Sequence, residues 1–213
     1  MIRHQAVLLL GPTGSGKTPL GDWLQDLGLW GRRCHHFDFG AGLREIAAAH
    51  ASAGFTAREM RYIQDVVEKG TLLENETFYL ASKILGNFIL RRQVHPRDLL
   101  VMNGLPRHIG QAEALSEMLQ FVAIVHLECS AETVWERLQS NAGGDRTHRT
   151  DDAFALVERK LAIFTGRTQP LLAYYQKRDV PLIPVVVGVQ TQPPDIRAIL
   201  EAAPPVQGAR PSA

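Results

Sequence analysis

Cysteine is scarce in this chain: there are two among 213 residues, Cys34 and Cys129. They are too few and too far apart in sequence for a disulfide framework or a four-ligand zinc site. An excess of charge of one sign is also missing. The 23 basic residues balance 22 acidic ones for a net charge of +1, so no global field argues for nucleic acid or an anionic membrane, and an anionic ligand must be held locally. No apolar run approaches the roughly 18 residues of a transmembrane helix. The opening MIRH followed by AVLLL resembles the start of a signal peptide, but the apolar run covers only residues 6–10, against the roughly 7–15 of a signal h-region. A cytoplasmic protein without membrane or nucleic-acid partners is the expectation. No internal repeat is visible. What is present is a globular composition, 45% hydrophobic and 21% charged. At about 150 residues per domain, the length favours one domain carrying an insertion.

Short apolar runs at 6–10, 99–102, 122–127 and 182–187, with a weaker one at 34–37, alternate with longer amphipathic segments. That alternation predicts βαβ units and a parallel sheet covered by helices on both faces. Between the second and third strands the stretch 41–92 is longer than one crossover needs and reads as a helical insertion. Within it Thr56-Ala57-Arg58-Glu59 has capping-box spacing, Gly70 would end that helix, and a second helix from about Glu74 carries Leu80, Ile84, Leu85 and Phe88 as one stripe. The late helix opens at Asp151-Asp152 and presents Phe154, Val157, Leu161, Phe164, Leu171 and Tyr175 at core spacing, with Pro170 expected to kink it. The tail 204–213 is rich in Pro, Ala and Gly and reads as disordered.

The strongest single signal is Gly11-Pro12-Thr13-Gly14-Ser15-Gly16-Lys17-Thr18, a Walker A pattern directly after the first strand. A glycine-rich turn lets successive N–H groups converge on phosphate oxygens at a helix N-terminus, whose partial positive charge favours the anion. Lys17 would reach the terminal phosphates and Thr18 would ligate Mg²⁺. Pro19 falls in the first helical turn, where its missing N–H costs little.

Further segments, in order, resemble the nucleoside monophosphate kinases, adenylate kinase most closely. They are Asn103-Gly104-Leu105-Pro106-Arg107 with Gln111, Glu136-Arg137-Leu138, Arg149-Thr150-Asp151-Asp152, and Gln169-Pro170-Leu171-Leu172-Ala173-Tyr174-Tyr175. The resemblance covers nearly the whole chain and implies a P-loop NTPase-type three-layer α/β fold with a five-stranded parallel sheet. It further implies a core at 1–38, 93–138 and 151–203, an NMP-binding helical insertion at 39–92, and a short lid at 139–150. The implied reaction is ATP + NMP = ADP + NDP with Mg²⁺, on a monomer, with AMP as the first expectation for the acceptor.

Carried over by position, Arg44 and Arg107 would clamp the acceptor phosphate, Gln111 would read the acceptor base, and Leu73 and Gly104 would line its pocket. Arg137 would stack on the donor adenine and approach its phosphates, Arg149 and Lys160 would serve the transferring group, and Val189 would contact the donor adenine. Only eleven residues separate Arg137 from Arg149, so the lid is of the short type. Residues 141–145 form a turn in it, Arg146 is an extra positive charge, and His148 reads as solvated.

The sequence also departs from that pattern. Asn103 stands where the family has an aspartate that helps hold the Mg²⁺ water shell, so a weakened metal site is expected and Asn103→Asp should raise turnover or Mg²⁺ affinity. Phe39 stands at a threonine position before Arg44, Asn141 replaces an arginine, and Lys160 keeps a charge but lacks the bidentate fork. Residues 47–55 are an unexplained lengthening. Besides an NMP kinase, two other functions fit: a nucleotide-binding sensor with decayed catalysis, and a P-loop kinase for a non-nucleotide small molecule.

Overall fold

A computed structural model of the chain describes residues 3–49, 54–145 and 154–203. Five parallel strands, β1 His4–Leu10, β2 Cys34–Asp38, β3 Leu99–Asn103, β4 Leu119–Glu128 and β5 Leu182–Val186, form one sheet in the order β2-β3-β1-β4-β5. The helices are α1 Lys17–Leu27, α2 Phe39–Ala48, α3 Ala57–Lys69, α4 Phe78–Arg92, α5 Ile109–Leu115, α6 Ala131–Gln139, α7 Phe154–Ile163, α8 Leu171–Gln176 and α9 Pro193–Ala202. The chain is therefore an α/β protein of the P-loop NTPase type.

Continuous apolar strands follow from burial on both faces. In β1, Ala6, Leu8 and Leu10 enter the cluster beneath α4, α5 and α8, while Val7 and Leu9 enter the opposite one with Leu20 and Leu24 of α1 and Ile196 and Leu200 of α9. The fourth strand is longer than the run 122–127 because residues 119–121 also pair along β1, ahead of a register irregularity between Ala6 and Val7.

Gly21 of α1 lies where the buried His36 ring of β2 packs, and a Cβ there would meet the ring directly. The ring cannot retreat easily, since its Nδ1 bonds Asp22 Oδ1 at 2.8 Å and its backbone N–H donates to Gln25 Oε1 at 3.3 Å. Gly21→Ala is expected to lose about 1–3 kcal/mol by overpacking. Urea unfolding checks this, and a loss within about 0.5 kcal/mol, the scatter of ordinary surface changes, would show that the ring moves aside.

The helical segment between β2 and β3 starts at Phe39 because Asp38 Oδ1 accepts the Ala41 N–H at 2.8 Å and caps α2. The box at Thr56 forms as read: Thr56 Oγ1 accepts the Glu59 N–H at 3.2 Å, and Glu59 Oε2 accepts the Thr56 N–H at 2.7 Å. Gly70 ends α3 at φ +59°. The next helix begins at Phe78, not Glu74, because a Thr77 N–H bond to the Glu74 carbonyl at 3.0 Å tightens the intervening turn, Asn75–Thr77, into 3₁₀ geometry. The late helix is interrupted as Pro170 demands: α7 widens into a π-turn, Phe164–Thr168, and α8 restarts after Pro170. Arg146, His148, Arg149, Asp151, Asp152 and the tail 204–213 lie outside the described residues.

Candidate active site

In a parallel sheet, ligands collect beyond the carboxyl ends of the strands, where the connections diverge. The strand order makes β1 that point, with β3 on one side and β4 on the other. Its end, Leu10, runs straight into the phosphate loop. Gly14 and Gly16 take φ of +78° and +90°, a left-handed backbone that favours glycine. Gly16 N-caps α1 with no side-chain cap, leaving the first helical N–H groups turned toward the loop. Ser15 Oγ, fully buried, donates to the Pro12 carbonyl at 2.9 Å and fastens the loop from beneath. The Lys17 ammonium bonds the Gly11 and Pro12 carbonyls at 2.8 and 2.6 Å, which places a positive charge inside the cradle.

Gly11, Thr13, Gly14, Gly16, Lys17 and Thr18 line one continuous cleft with Arg44, Leu73, Asn103, Gly104, Arg107, Gln111, Arg137 and Lys160. Pro12 and Ser15 sit in the loop behind that surface, and Val189 sits behind Arg137. Arg149 is outside the described residues. The cleft also includes Phe39, singled out above at a threonine position, Asp145 of the turn 141–145, and Asp38 and Thr168, which sequence reasoning did not select.

Three of these positions make hydrogen bonds that the resemblance does not specify. Gln111 is buried, its Oε1 accepts the Arg107 backbone N–H at 2.7 Å, and its Nε2 donates to the Leu73 carbonyl at 2.7 Å. It braces the pocket wall, which leaves one N–H and one lone pair for a base edge.

Arg137, 5% exposed, directs Nε to the Gly14 carbonyl at 3.0 Å and Nη1 to the carbonyls of Gly188, Val189 and Thr191 at 2.8, 2.8 and 3.1 Å. Its guanidinium thus ties the phosphate loop to the segment after β5, and Val189 meets it through its backbone, as a hydrogen-bond acceptor. Arg137→Ala is expected to cost about 2–3 kcal/mol, because several charge-assisted bonds to backbone carbonyls are lost together. Thermal unfolding tests this, and a variant as stable as the parent would show that the tie is dispensable.

Asn103 is the third. Its Nδ2 donates to Asp38 Oδ2 at 3.0 Å and to Thr18 Oγ1 at 3.1 Å, while the Thr18 hydroxyl donates to Asp38 Oδ2 at 2.7 Å. Burial on its own would push the Asp38 carboxyl up, but the Ala41 N–H, the Thr18 hydroxyl and the charges of His36 and Arg44 together hold it below its ordinary value. Asp38 is therefore an anion at neutral pH beside the hydroxyl that Walker A chemistry assigns to the metal. The signal that could have found it is its place as the last residue of a strand in a parallel sheet.

Arg107 follows Gly104, whose φ is +81°, and its carbonyl accepts from Thr168 Oγ1 at 2.9 Å. With its N–H on Gln111 as well, the backbone is fixed at both ends. Among the described residues none accepts from its guanidinium, and burial pushes its pKa down. A partly buried cation with open donors beside a phosphate cradle is suited to receive a second anion.

No family model matches the chain. It is similar to the adenylate kinase of Thermus thermophilus, 29% identical over 205 residues covering 93% of this chain and 96% of that one. It is also similar to that of Xanthomonas campestris pv. campestris, 29% identical over 178 residues covering 81% and 86%, and to that of Xanthomonas oryzae pv. oryzae, 28% identical over 180 residues covering 81% and 86%.

Proposed function

From the premise that this chain is an adenylate kinase-like nucleoside monophosphate kinase, and hence a phosphotransferase, we propose that it transfers the γ-phosphoryl group of Mg·ATP to AMP, as a cytoplasmic monomer. The observation that supports the reading is that the phosphate loop with Lys17 lines one cleft together with the guanidinium groups of Arg107 and Arg44. Transfer between two polyanions requires positive charge that neutralises and aligns them, and exclusion of water that would otherwise take the phosphoryl group. The loop and its lysine hold the donor, and the two guanidinium forks hold the acceptor phosphate. Lys160 lines the same cleft and Arg149 would enter from the segment 139–150, which acts as the lid. The insertion 39–92 supplies the acceptor side.

Mg²⁺ fits the oxygen-only donors here, the Thr18 hydroxyl backed by the Asp38 carboxylate. No three His, Cys, Asp or Glu side chains converge among the described residues, so the ion would draw most ligands from phosphate and water, as Mg²⁺ usually does. Bound there, it would neutralise phosphate charge during transfer. Among the described residues no helix is long and apolar enough to cross a membrane.

The test is ADP formation from Mg·ATP with AMP, GMP, CMP and UMP in parallel, the Lys17→Ala protein serving as blank. Turnover with AMP is expected. Turnover with a different NMP alone would reassign the acceptor, for which Phe39 and the braced Gln111 give a structural reason. Retained ATP binding without acceptor-dependent turnover would refute the kinase reading.

A further inference from the structure

The missing aspartate at position 103 is matched by a carboxylate in an adjacent position. β2 and β3 pair in register with Asp38 opposite Asn103, so the last residues of two neighbouring strands reach the same point beyond the sheet edge. Both touch the Thr18 hydroxyl: Asp38 Oδ2 accepts from it at 2.7 Å, and Asn103 Nδ2 donates to it at 3.1 Å. Asn103 also donates to Asp38 Oδ2 at 3.0 Å. An aspartate at 103 would set two carboxylates about 3 Å apart, where like charges cannot both ionise without cost. Asparagine turns that repulsion into a hydrogen bond.

Resting on the kinase reading above, we propose that Asp38 is the carboxylate that positions the Mg²⁺ of the bound nucleotide, acting through the Thr18 hydroxyl and the water shell of the ion, and that Asn103 is the neutral partner this arrangement requires. Asn103 is then not a decayed metal site. The carboxylate has moved one strand outward, and Asn103→Asp is harmful, contrary to the gain expected from the missing charge alone. Asp38 has a second task as the cap of α2, but that contact uses Oδ1, and an asparagine caps a helix as well as an aspartate does. Asp38→Asn therefore removes the charge and keeps the cap.

The test is calorimetric binding of the non-hydrolysable ATP analogue AMP-PNP, with MgCl₂ and with EDTA. The ratio of the two dissociation constants measures the Mg²⁺ coupling, and metal-free binding reports an intact loop. Partners one bond behind a metal ligand typically contribute about 10–100-fold to metal affinity, so Asp38→Asn should lower the coupling, the ratio itself, about tenfold or more. Asn103→Asp should lower it too, and the Asp38→Asn/Asn103→Asp double variant, which returns the charge to β3, should recover most of it. A purely structural role for Asp38 would weaken metal-free and Mg²⁺-loaded binding alike and leave their ratio unmoved. Unchanged coupling in Asp38→Asn, a gain in Asn103→Asp, or no recovery in the double variant each overturns the proposal. Should Asp38→Asn fail to fold, Asn103→Asp still decides by its sign. If the wild-type protein transfers phosphate yet Asp38→Asn keeps its coupling, the proposal alone falls. If the wild type binds no AMP-PNP, the kinase reading falls with it.

Discussion

Lys17→Ala is expected to lower the turnover number by about 10²–10³-fold, the range seen when one preorganised donor to a developing charge is removed. The ammonium lies inside the phosphate loop, on the Gly11 and Pro12 carbonyls, at the N-terminus of α1. A γ-phosphoryl group in flight gathers charge on its equatorial oxygens, so the lysine contributes more in the transition state than in the ground state. The loss should therefore fall mainly on kcat, with a smaller rise in KM for ATP. Folding should change little, because the loop stays fastened by Ser15 on the Pro12 carbonyl. Lys17→Arg keeps the charge but needs space that Ser15 and the loop carbonyls occupy, and should not rescue. Steady-state kinetics at saturating Mg·ATP, with circular dichroism as the fold check, decide it. Turnover equal to the parent would remove the loop from the donor site.

Where a feature is imposed by the local backbone, the sequence displays it. The phosphate loop was legible because its glycines answer a local requirement, φ of +78° at Gly14 and +90° at Gly16. Strands β1, β3 and β4 were legible because burial on both faces leaves little room for polar residues. β2 was faint for a physical reason: its sequence, Cys-His-His-Phe-Asp, carries two buried histidines whose partners are remote. His35 bonds Asp98 at 2.8 Å and His36 bonds Asp22 at 2.8 Å, and nothing in the local pattern announces either pair. Asp38 escaped for the same reason, since its value depends on β2 lying beside β3, and strand order is not written in either segment.

The resemblance located Gln111 and Arg137 in the cleft but not their hydrogen bonds. Gln111 braces Arg107 against Leu73, and Arg137 ties the phosphate loop to the segment after β5. Such bonds depend on loop carbonyls brought together by the whole fold. The resemblance also treated position 103 in isolation. Once Thr18, Asp38 and Asn103 are seen as one hydrogen-bonded group, the asparagine follows from the aspartate opposite it.

Arg107→Met should separate function from stability more sharply than any other change in the cleft. Truncating one side of a buried charge contact costs about 2–5 kcal/mol, so kcat/KM for the acceptor nucleotide is expected to fall by roughly 30- to 4,000-fold. Binding of AMP-PNP in the loop should stay near the parent value, because the loop's own donors are untouched. Stability should move the other way. Burial lowers the pKa of this cation, which means that the charged form is less favoured folded than unfolded at every pH where the residue is charged, neutral pH included. None of the described residues offsets that cost at the guanidinium. Methionine keeps the apolar stem and removes the charge, and a gain of about 0.5–2 kcal/mol is the usual scale for relieving a strained functional site. Arg107→Lys retains the charge without the bidentate fork and should lie between parent and methionine in kcat/KM, with no gain in stability. Acceptor-dependent kinetics and urea unfolding on the three proteins give the answer. A methionine variant that loses stability would show that Arg107 is a structural tie, and one that keeps full kcat/KM would move the acceptor phosphate elsewhere in the cleft.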